Sequence, residues 1–418
     1  MTGDLIIDGD ALREDIEQTA EFGAVNAPEG RGRTALPADD ANRKARDYFV
    51  DRCKAAGLDI TIDPVGNIVG RWTPASADPE SAAVAAGSHL DSVPRGGIFD
   101  GPLGVFAALE SVRAIQRSKI SPQRPIEVVS FTGEEGTRFA EGVLGSTVAA
   151  GKASVDEMLS QTDGEITLEA ALKNIGYHGS DRINARRWDS WLELHIEQTT
   201  RLEDAGVPLG VVTDITGTAR CHVTLTGHPD HAGTTAMDER QDALTAASEL
   251  VLAVESHAGD IASSGSETAV GTVGHLTPEP NTVNVVPGEV SLRIDLRSTK
   301  QSEITSQLEQ VQAKLNEIEA NRPISTTFTC DYDIPPTPLS DRCRATVKQA
   351  SEDHQVNTID VHSGAGHDTM QIADVTDAAL LFVASENGYS HSPKEKAEWE
   401  DCTAATQILA ASIAQLAK

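Results

Sequence analysis

Residues 126–136 read IEVVSFTGEEG. A short, mostly apolar run ends at Thr132-Gly133, and two carboxylates, Glu134 and Glu135, follow side by side. A run of this length bounded by turn residues suits a strand covered on both faces, as in a parallel sheet. Adjacent like charges repel, so the pair at the strand's end calls for a physical reason.

Working outward, the same rhythm repeats. Upstream, AAVAAGSHL (82–90) is another short apolar run, read as a buried strand running out at Gly87. Between the two runs, GPLGVFAALESVRAIQRS (101–118) has the character of a helix. Downstream, WLELHIEQ (191–198) reads as a third strand of the same sheet. Nearer the start, ADDANRKARDYFVDRCKAAG (38–57) is an amphipathic helix ending at Gly57. LDITIDPVGNIVGRW (58–72) alternates at period two and turns at Val65-Gly66-Asn67, the pattern of a hairpin. Strand, helix and strand in alternation predict an α/β domain with a largely parallel sheet.

The middle of the chain changes pattern. RCHVTLT (220–226), TAVGTVGHL (268–276), NVVPGEVSLRIDLRS (284–298) and ISTTFTCDYD (324–333) read as strands. DERQDALTAASELVLAVESHA (238–258) and SEITSQLEQVQAKLNEIEA (302–320) read as helices, the second capped by Ser302. The order β-α-β-β-α-β is the ferredoxin-like unit. An inserted domain over 214–331 is expected, with 1–213 and 332–418 forming the flanking domain. Helix DRCRATVKQASEDH (341–354) and strand AALLFVA (378–384) return to the latter.

The chain has 418 residues, 39% hydrophobic and 4% aromatic. Two cores rich in Val, Ile, Leu and Ala fit that length. No apolar run approaches the ~18 residues of a spanning helix. The acidic start MTGDLIIDGDALREDIEQ lacks the basic and apolar regions of a secretory signal. Five Cys are scattered without a CxxC, so no disulfide framework is expected and a reducing cytoplasm fits. The formal charge is −30, from 64 acidic and 34 basic residues. Phosphate binding needs a basic face, so nucleic acid is excluded as a partner. The acids are spread along patterned segments, which suits a salt-adapted surface whose self-repulsion is screened by salt. Thermal stability is then expected to rise in molar KCl.

Polar residues gather just after the apolar runs. His89 and Asp91 follow AAVAAGS, Asp100 sits in GGIFDGPLG, Glu134 and Glu135 follow IEVVSF, His195 lies in LELHIEQ and His391 in GYSHSPKE. Each alone has an ordinary reading: a hydrogen-bonded His, a turn Asp, a solvated pair of Glu. Together they are metal-binding types at strand ends, where open α/β sheets build their sites. A cation explains the paired carboxylates, because it offsets the charge of one member. The other then stands beside water whose pKa the cation has lowered toward ~7, and takes its proton.

The stretches GSHLDSVPRGGIFDGPLG, FTGEEGTRF, LELHIEQ, GHPDHAGTTAMDERQDA, NTVNVVPGEVSLRIDLRS, SGAGHDTM and SHSPKE resemble, in order, the dinuclear-metal amidohydrolases of the aminoacylase and carboxypeptidase-G type. Within these the chain is similar to N-carbamoyl-L-amino-acid hydrolases, β-ureidopropionases and allantoate amidohydrolases. The resemblance implies two divalent ions per subunit, drawn from Zn, Mn, Co or Ni. It implies His89 and His195 as ligands of one ion, Glu135 and His391 of the other, and Asp100 bridging both. Glu134 is then the general base, and Asp91 the carboxylate that orients the His89 imidazole.

For the substrate, the resemblance implies that Arg293 and Asn281 hold an α-carboxylate, which suits a planar guanidinium. The resemblance also implies that His231 crosses from a partner subunit to stabilise the oxyanion. On the same resemblance, Gly364 and Gly366 would let backbone N–H groups approach the substrate, and Gln198 would contact the ureido group. His367 and Asp368 support the ligands from behind. The inserted domain then serves as lid and homodimer interface. The expected reaction is hydrolysis of N-carbamoyl-L-amino acids, with allantoate hydrolysis, or a dipeptidase or aminoacylase activity, as alternatives. A catalytically silent scaffold would have a damaged ligand set, and here the set is whole. Two departures fall near the site: Thr199-Thr200 follow HIEQ where Gly-Pro is usual, and Ala236 stands where Pro is usual.

Overall fold

The computed structural model describes residues 5–140, 142–266 and 268–418. The chain forms two compact units, Met1–Thr213 with Pro338–Lys418, and Asp214–Thr337.

The first unit is built on a nine-stranded mixed sheet. From edge to edge its strands are Thr337–Pro338, Leu209–Ile215, Asp377–Val383, Trp188–Ile196, Ala83–His89, Ile126–Phe131, Ile68–Trp72 and Asp59–Ile62, with Thr358–Ser363 also pairing Leu209–Ile215. The expected largely parallel sheet is parallel through its four central strands, Asp377–Val383 to Ile126–Phe131. The flanks are antiparallel. On one side the cause is local: the turn around Gly66, at φ +84, folds Asp59–Ile62 back onto Ile68–Trp72.

Each central strand is covered on both faces. Val84 and Ala86 pack into one apolar core, Ala83 and Ala85 into another. Leu192 and Leu194 face the first core while Trp191 faces the second. Alternating burial on two sides explains why these strands read as continuous apolar runs. Helix Pro102–Arg117 begins with Pro in its first turn and is buried along most of its length. Gly104 lets it press onto the sheet, because a Cβ there would fall on the Leu194 carbonyl. Parallel strands also place their carboxyl ends along one edge. His89 ends its strand, Thr132 to Glu135 follow Phe131, and His195 is next to last in its own.

The second unit is a four-stranded antiparallel sheet in the order Val270–Glu279, Glu289–Ser298, Gly217–Thr226, Ser325–Ile334. Two helices, Ala243–Ser263 and Gln301–Asn321, cover one face. Val223, Leu225, Leu292, Ile294 and Leu296 point into their shared core at alternate positions. The last strand runs past 331, so the unit ends at Thr337. The helix Gln301–Asn321 carries no side-chain cap, and Ser302 lies inside its first turn. Ser298 acts there instead, its Oγ accepting from the Lys300 N–H at 3.0 Å.

A further expectation is corrected. Cys221 and Cys330, register partners on neighbouring strands, form a disulfide. They are 109 residues apart in the chain, so only the strand register brings them together. Cys53, Cys343 and Cys402 are free and buried. Among the described residues, no helix is long and apolar enough to cross a membrane.

Candidate metal centre

His89 and His195 stand fully covered at two adjacent strand ends. The Nδ1 of His89 lies 3.2 Å from the Asp91 carbonyl, and the Nδ1 of His195 lies 3.1 Å from the Ile196 carbonyl. A carbonyl only accepts, so each Nδ1 carries a hydrogen, and Nε2 is the atom left to face an ion once any proton there is displaced. Both Nε2 atoms face Asp100 Oδ1, at 3.5 Å for His89 and 3.2 Å for His195. The other carboxylate oxygen, Oδ2, lies 3.7 Å from Nε2 of His391, which is 3.1 Å from Glu135 Oε2. Ligand atoms of His89, Asp100 and His195, and of Asp100, Glu135 and His391, fall within 4.8 Å of one another in each trio. Asp100 belongs to both.

Glu134 belongs to neither trio, although its Oε2 is 3.7 Å from His89 Nε2. The two adjacent glutamates therefore diverge, one toward His391 and one toward His89. Asp91 holds them apart. Its carboxylate accepts the backbone N–H groups of Gly133, Glu134 and Glu135 at 3.1, 3.4 and 3.3 Å. The same carboxylate is 3.9 Å from His89 Nδ1, beyond hydrogen-bond reach. The expected imidazole-orienting role falls to the Asp91 carbonyl, and the carboxylate fixes the loop of paired glutamates.

The electrostatics describe a site that asks for cations. Burial alone would raise the Asp100 carboxyl, but His195 and His89 hold it well below the usual carboxylate range. Burial would lower His89, yet Glu134, Asp100, Asp91 and Glu135 raise it well above an ordinary imidazole. The hydrogen bond to Glu135 pushes His391 up to about 9. Burial, with Glu135, Asp368 and Asp100 nearby, lifts Glu134 well above its ordinary value. Protons held on imidazoles are what a bound cation displaces. The donor set fits divalent ions: His89 Nε2 and Glu135 Oε1 are buried without a hydrogen-bond partner, and imidazole with carboxylate suits borderline metals.

Gln198 Nε2 reaches Asp100 Oδ2 at 3.3 Å and Ser390 Oγ at 3.0 Å. His367 sits edge-on to His195 with ring centroids 4.6 Å apart, and its Nε2 meets Ser363 Oγ at 3.1 Å. Asp368 is buried, and burial raises it well above the usual range. Gly364 and Gly366 are exposed between strand Thr358–Ser363 and helix Asp368–Ile372, with open space beside Gly364.

His231, Asn281 and Arg293 belong to the second unit. His231 is exposed, and its Nδ1 accepts the N–H groups of Gly233 and Thr234 at 3.0 and 3.1 Å. In the neutral ring that leaves Nε2–H as a free-facing donor. Asn281 is exposed with φ +53. Arg293 is exposed on its strand, opposite His222 and His275.

Three supporting residues lie outside the sequence reading. Arg33 is fully buried and donates to the carbonyls of Leu90 and Asp91 at 3.0 and 3.1 Å. Ser390 Oγ donates to Asp100 Oδ2 at 2.9 Å. Glu395 accepts the N–H groups of Phe99 and Asp100, and burial pushes it up to about 8. Ser390 and Glu395 flank His391 in SHSPKE, a placement visible in the sequence. Nothing near Arg33 marks it.

The family described as peptidase family M20/M25/M40 matches residues 85–415. The N-carbamoyl-L-amino-acid amidohydrolase of Paenarthrobacter aurescens is 35% identical over 403 residues, covering 95% of each chain. The allantoate amidohydrolase of Escherichia coli (strain K12) is 33% identical over 410 residues, 97% of this chain and 98% of that one. A solved structure of a hydantoinase/carbamoylase family amidase from Burkholderia multivorans superposes with a TM-score of 0.90 at 34% identity, covering 99% of this chain and 98% of that one.

Proposed function

This chain belongs to peptidase family M20/M25/M40, and from that premise we propose that it hydrolyses the ureido C–N bond of N-carbamoyl-L-amino acids. It is an amidohydrolase acting on linear amides. The double trio on Asp100 with Glu134 left outside it supports metal-assisted hydrolysis, and the relative of that name at 35% identity over nearly the full length carries the choice of a carbamoyl substrate.

Two divalent ions held by His89, His195, Asp100, Glu135 and His391 would supply Lewis acidity, polarising the carbonyl and acidifying water. Zn, Mn, Co and Ni all suit the donors. Glu134, left outside both trios, takes a proton from the attacking water. It then returns that proton to the leaving nitrogen. An exposed Nε2–H on His231 of the partner subunit serves the developing oxyanion. Arg293 and Asn281 grip the α-carboxylate, Gln198 meets the ureido group, and backbone N–H groups near Gly364 and Gly366 approach the substrate. The second unit acts as lid and homodimer interface. Water adds across the C–N bond to give the amino acid and carbamic acid, which breaks down to CO2 and ammonia. A cytoplasmic location belongs to this reading; the Cys221–Cys330 disulfide weighs against it, since such bonds are rare in reducing compartments.

Allantoate is the second reading, favoured by the Escherichia coli relative. Metal-loaded protein incubated separately with N-carbamoyl-L-amino acids, allantoate and a dipeptide separates the readings by release of ammonia and of free amino acid. Ammonia with free amino acid from the first substrate is expected. Turnover of allantoate or the dipeptide alone would overturn the choice. Glu134→Gln should keep its ions and lose roughly 10²- to 10⁴-fold in kcat; a full rate would refute the assigned base.

A further inference from the structure

Asp100 is held from two directions by one segment. Ser390 and His391 reach its carboxylate, at 2.9 and 3.7 Å from Oδ2. Four residues after His391, Glu395 turns back beneath the same loop. Its Oε1 accepts the Phe99 N–H at 2.7 Å and the Asp100 N–H at 3.0 Å. The segment is closed on itself by the Glu395 N–H donating to the Ser392 carbonyl at 3.0 Å. Glu395 is 4% exposed, so this carboxylate is built into the interior.

The loop it grips is shaped to receive it. A methyl group added at Gly97 would fall on the Glu395 carboxylate itself. Gly97 is not held at positive φ, so its lack of a side chain serves space and not backbone conformation. Behind the carboxylate, Arg33 donates its N–H to the Gly96 carbonyl at 3.0 Å. Gly30 and Gly32 pack against Pro393, where added Cβ atoms would collide. Three segments distant in the chain therefore interlock behind the one carboxylate shared by both ligand trios.

We infer that Glu395 is a positioning residue: it clamps the Phe99–Asp100 backbone so that each oxygen of Asp100 faces its own trio of candidate ligands. The inference rests on the reading of Asp100 as the shared ligand. Without the clamp the Asp100 backbone can turn, and the angle between the two carboxylate directions is no longer set. The position facing Glu135 and His391 suffers more, because the other is also framed by two imidazoles tied to main-chain carbonyls.

The test uses full-length protein and Co(II), read by titration calorimetry and by the visible spectrum of the bound ion. Glu395→Ala is expected to weaken the second Co(II) by roughly 10- to 100-fold, the usual cost of losing an outer partner of a ligand, and to change the spectrum. Glu395→Gln keeps an acceptor oxygen and should recover most of that loss. Gly97→Ala leaves the Glu395 side chain in the protein and displaces the clamp, so it should copy Glu395→Ala; it also serves if Glu395→Ala does not fold. A merely structural role would lower the melting temperature of all three without moving Co(II) affinity or spectrum. If the wild-type protein binds two Co(II) and folded Glu395→Ala or Gly97→Ala binds both with unchanged affinity, the clamp is wrong. If wild type binds none, the metal reading itself has failed.

Discussion

The two trios that share Asp100 are built differently. His89, Asp100 and His195 are all buried, and both imidazoles are tied by Nδ1 to main-chain carbonyls at strand ends. Glu135 and His391 come from loops. Gly133 and Gly136 around the glutamate pair have φ +68 and +64, and His391 itself has φ +54 with 53% of its side chain exposed. A left-handed backbone at a non-glycine residue costs ~1–3 kcal/mol and persists only where the surroundings impose it. One position is framed by the sheet; the other is assembled from loops that Asp91, Ser390 and Glu395 hold in place. If both positions take ions, the framed one is expected to exchange more slowly than the assembled one.

The largest effect that could break this contrast is expected at the shared residue. Asp100→Asn should empty both positions, and activity should fall by roughly 10³-fold or more, the scale of a lost electrostatic element. Metal analysis of the purified variant checks it; two retained ions would show that Asp100 is not shared.

A smaller effect sharpens the contrast. Timed chelation of the loaded protein should release two ions in two phases, the faster from the Glu135 and His391 side. His391→Ala should keep one ion and show only the slow phase. A single phase in wild type would mean that the two positions are equivalent.

The smallest effect concerns the floor beneath the glutamate loop. Asn67 accepts the Thr132 N–H at 3.0 Å and donates to Asp63 Oδ2 at 2.8 Å. Burial raises Asp63 from 3.8 to about 7. The folded protein therefore holds this proton more tightly than the unfolded chain. The resulting stabilisation is whole below about pH 4 and is lost as pH rises toward 7. Denaturant melts of wild type and Asp63→Asn between pH 4 and 8 should differ in slope, with the variant flatter; parallel curves would remove Asp63 as the cause.

Much of this was legible along the chain, for physical reasons. Strands covered on both faces must be apolar, so IEVVSF and AAVAAGSH stand out, and polar residues at their carboxyl ends must meet because parallel strands end together. What depends on register or on remote partners was hidden. Cys221 meets Cys330 only through strand pairing. Arg33 supports carbonyls 57 and 58 residues away, and Glu395 grips amides 295 and 296 residues away. Asp91 stood out as a carboxylate beside a histidine, yet its oxygens turn to the glutamate loop, because three unpaired N–H groups there needed an acceptor.

The most direct test is diffraction from crystals of the metal-loaded protein, with data collected at the absorption edge of the ion. The account requires two anomalous peaks roughly 3.5–4 Å apart, one oxygen of Asp100 on each, His89 and His195 on one, Glu135 and His391 on the other, and Glu134 bonded to neither. A lone peak, peaks away from Asp100, or Glu134 standing in a coordination sphere would contradict it.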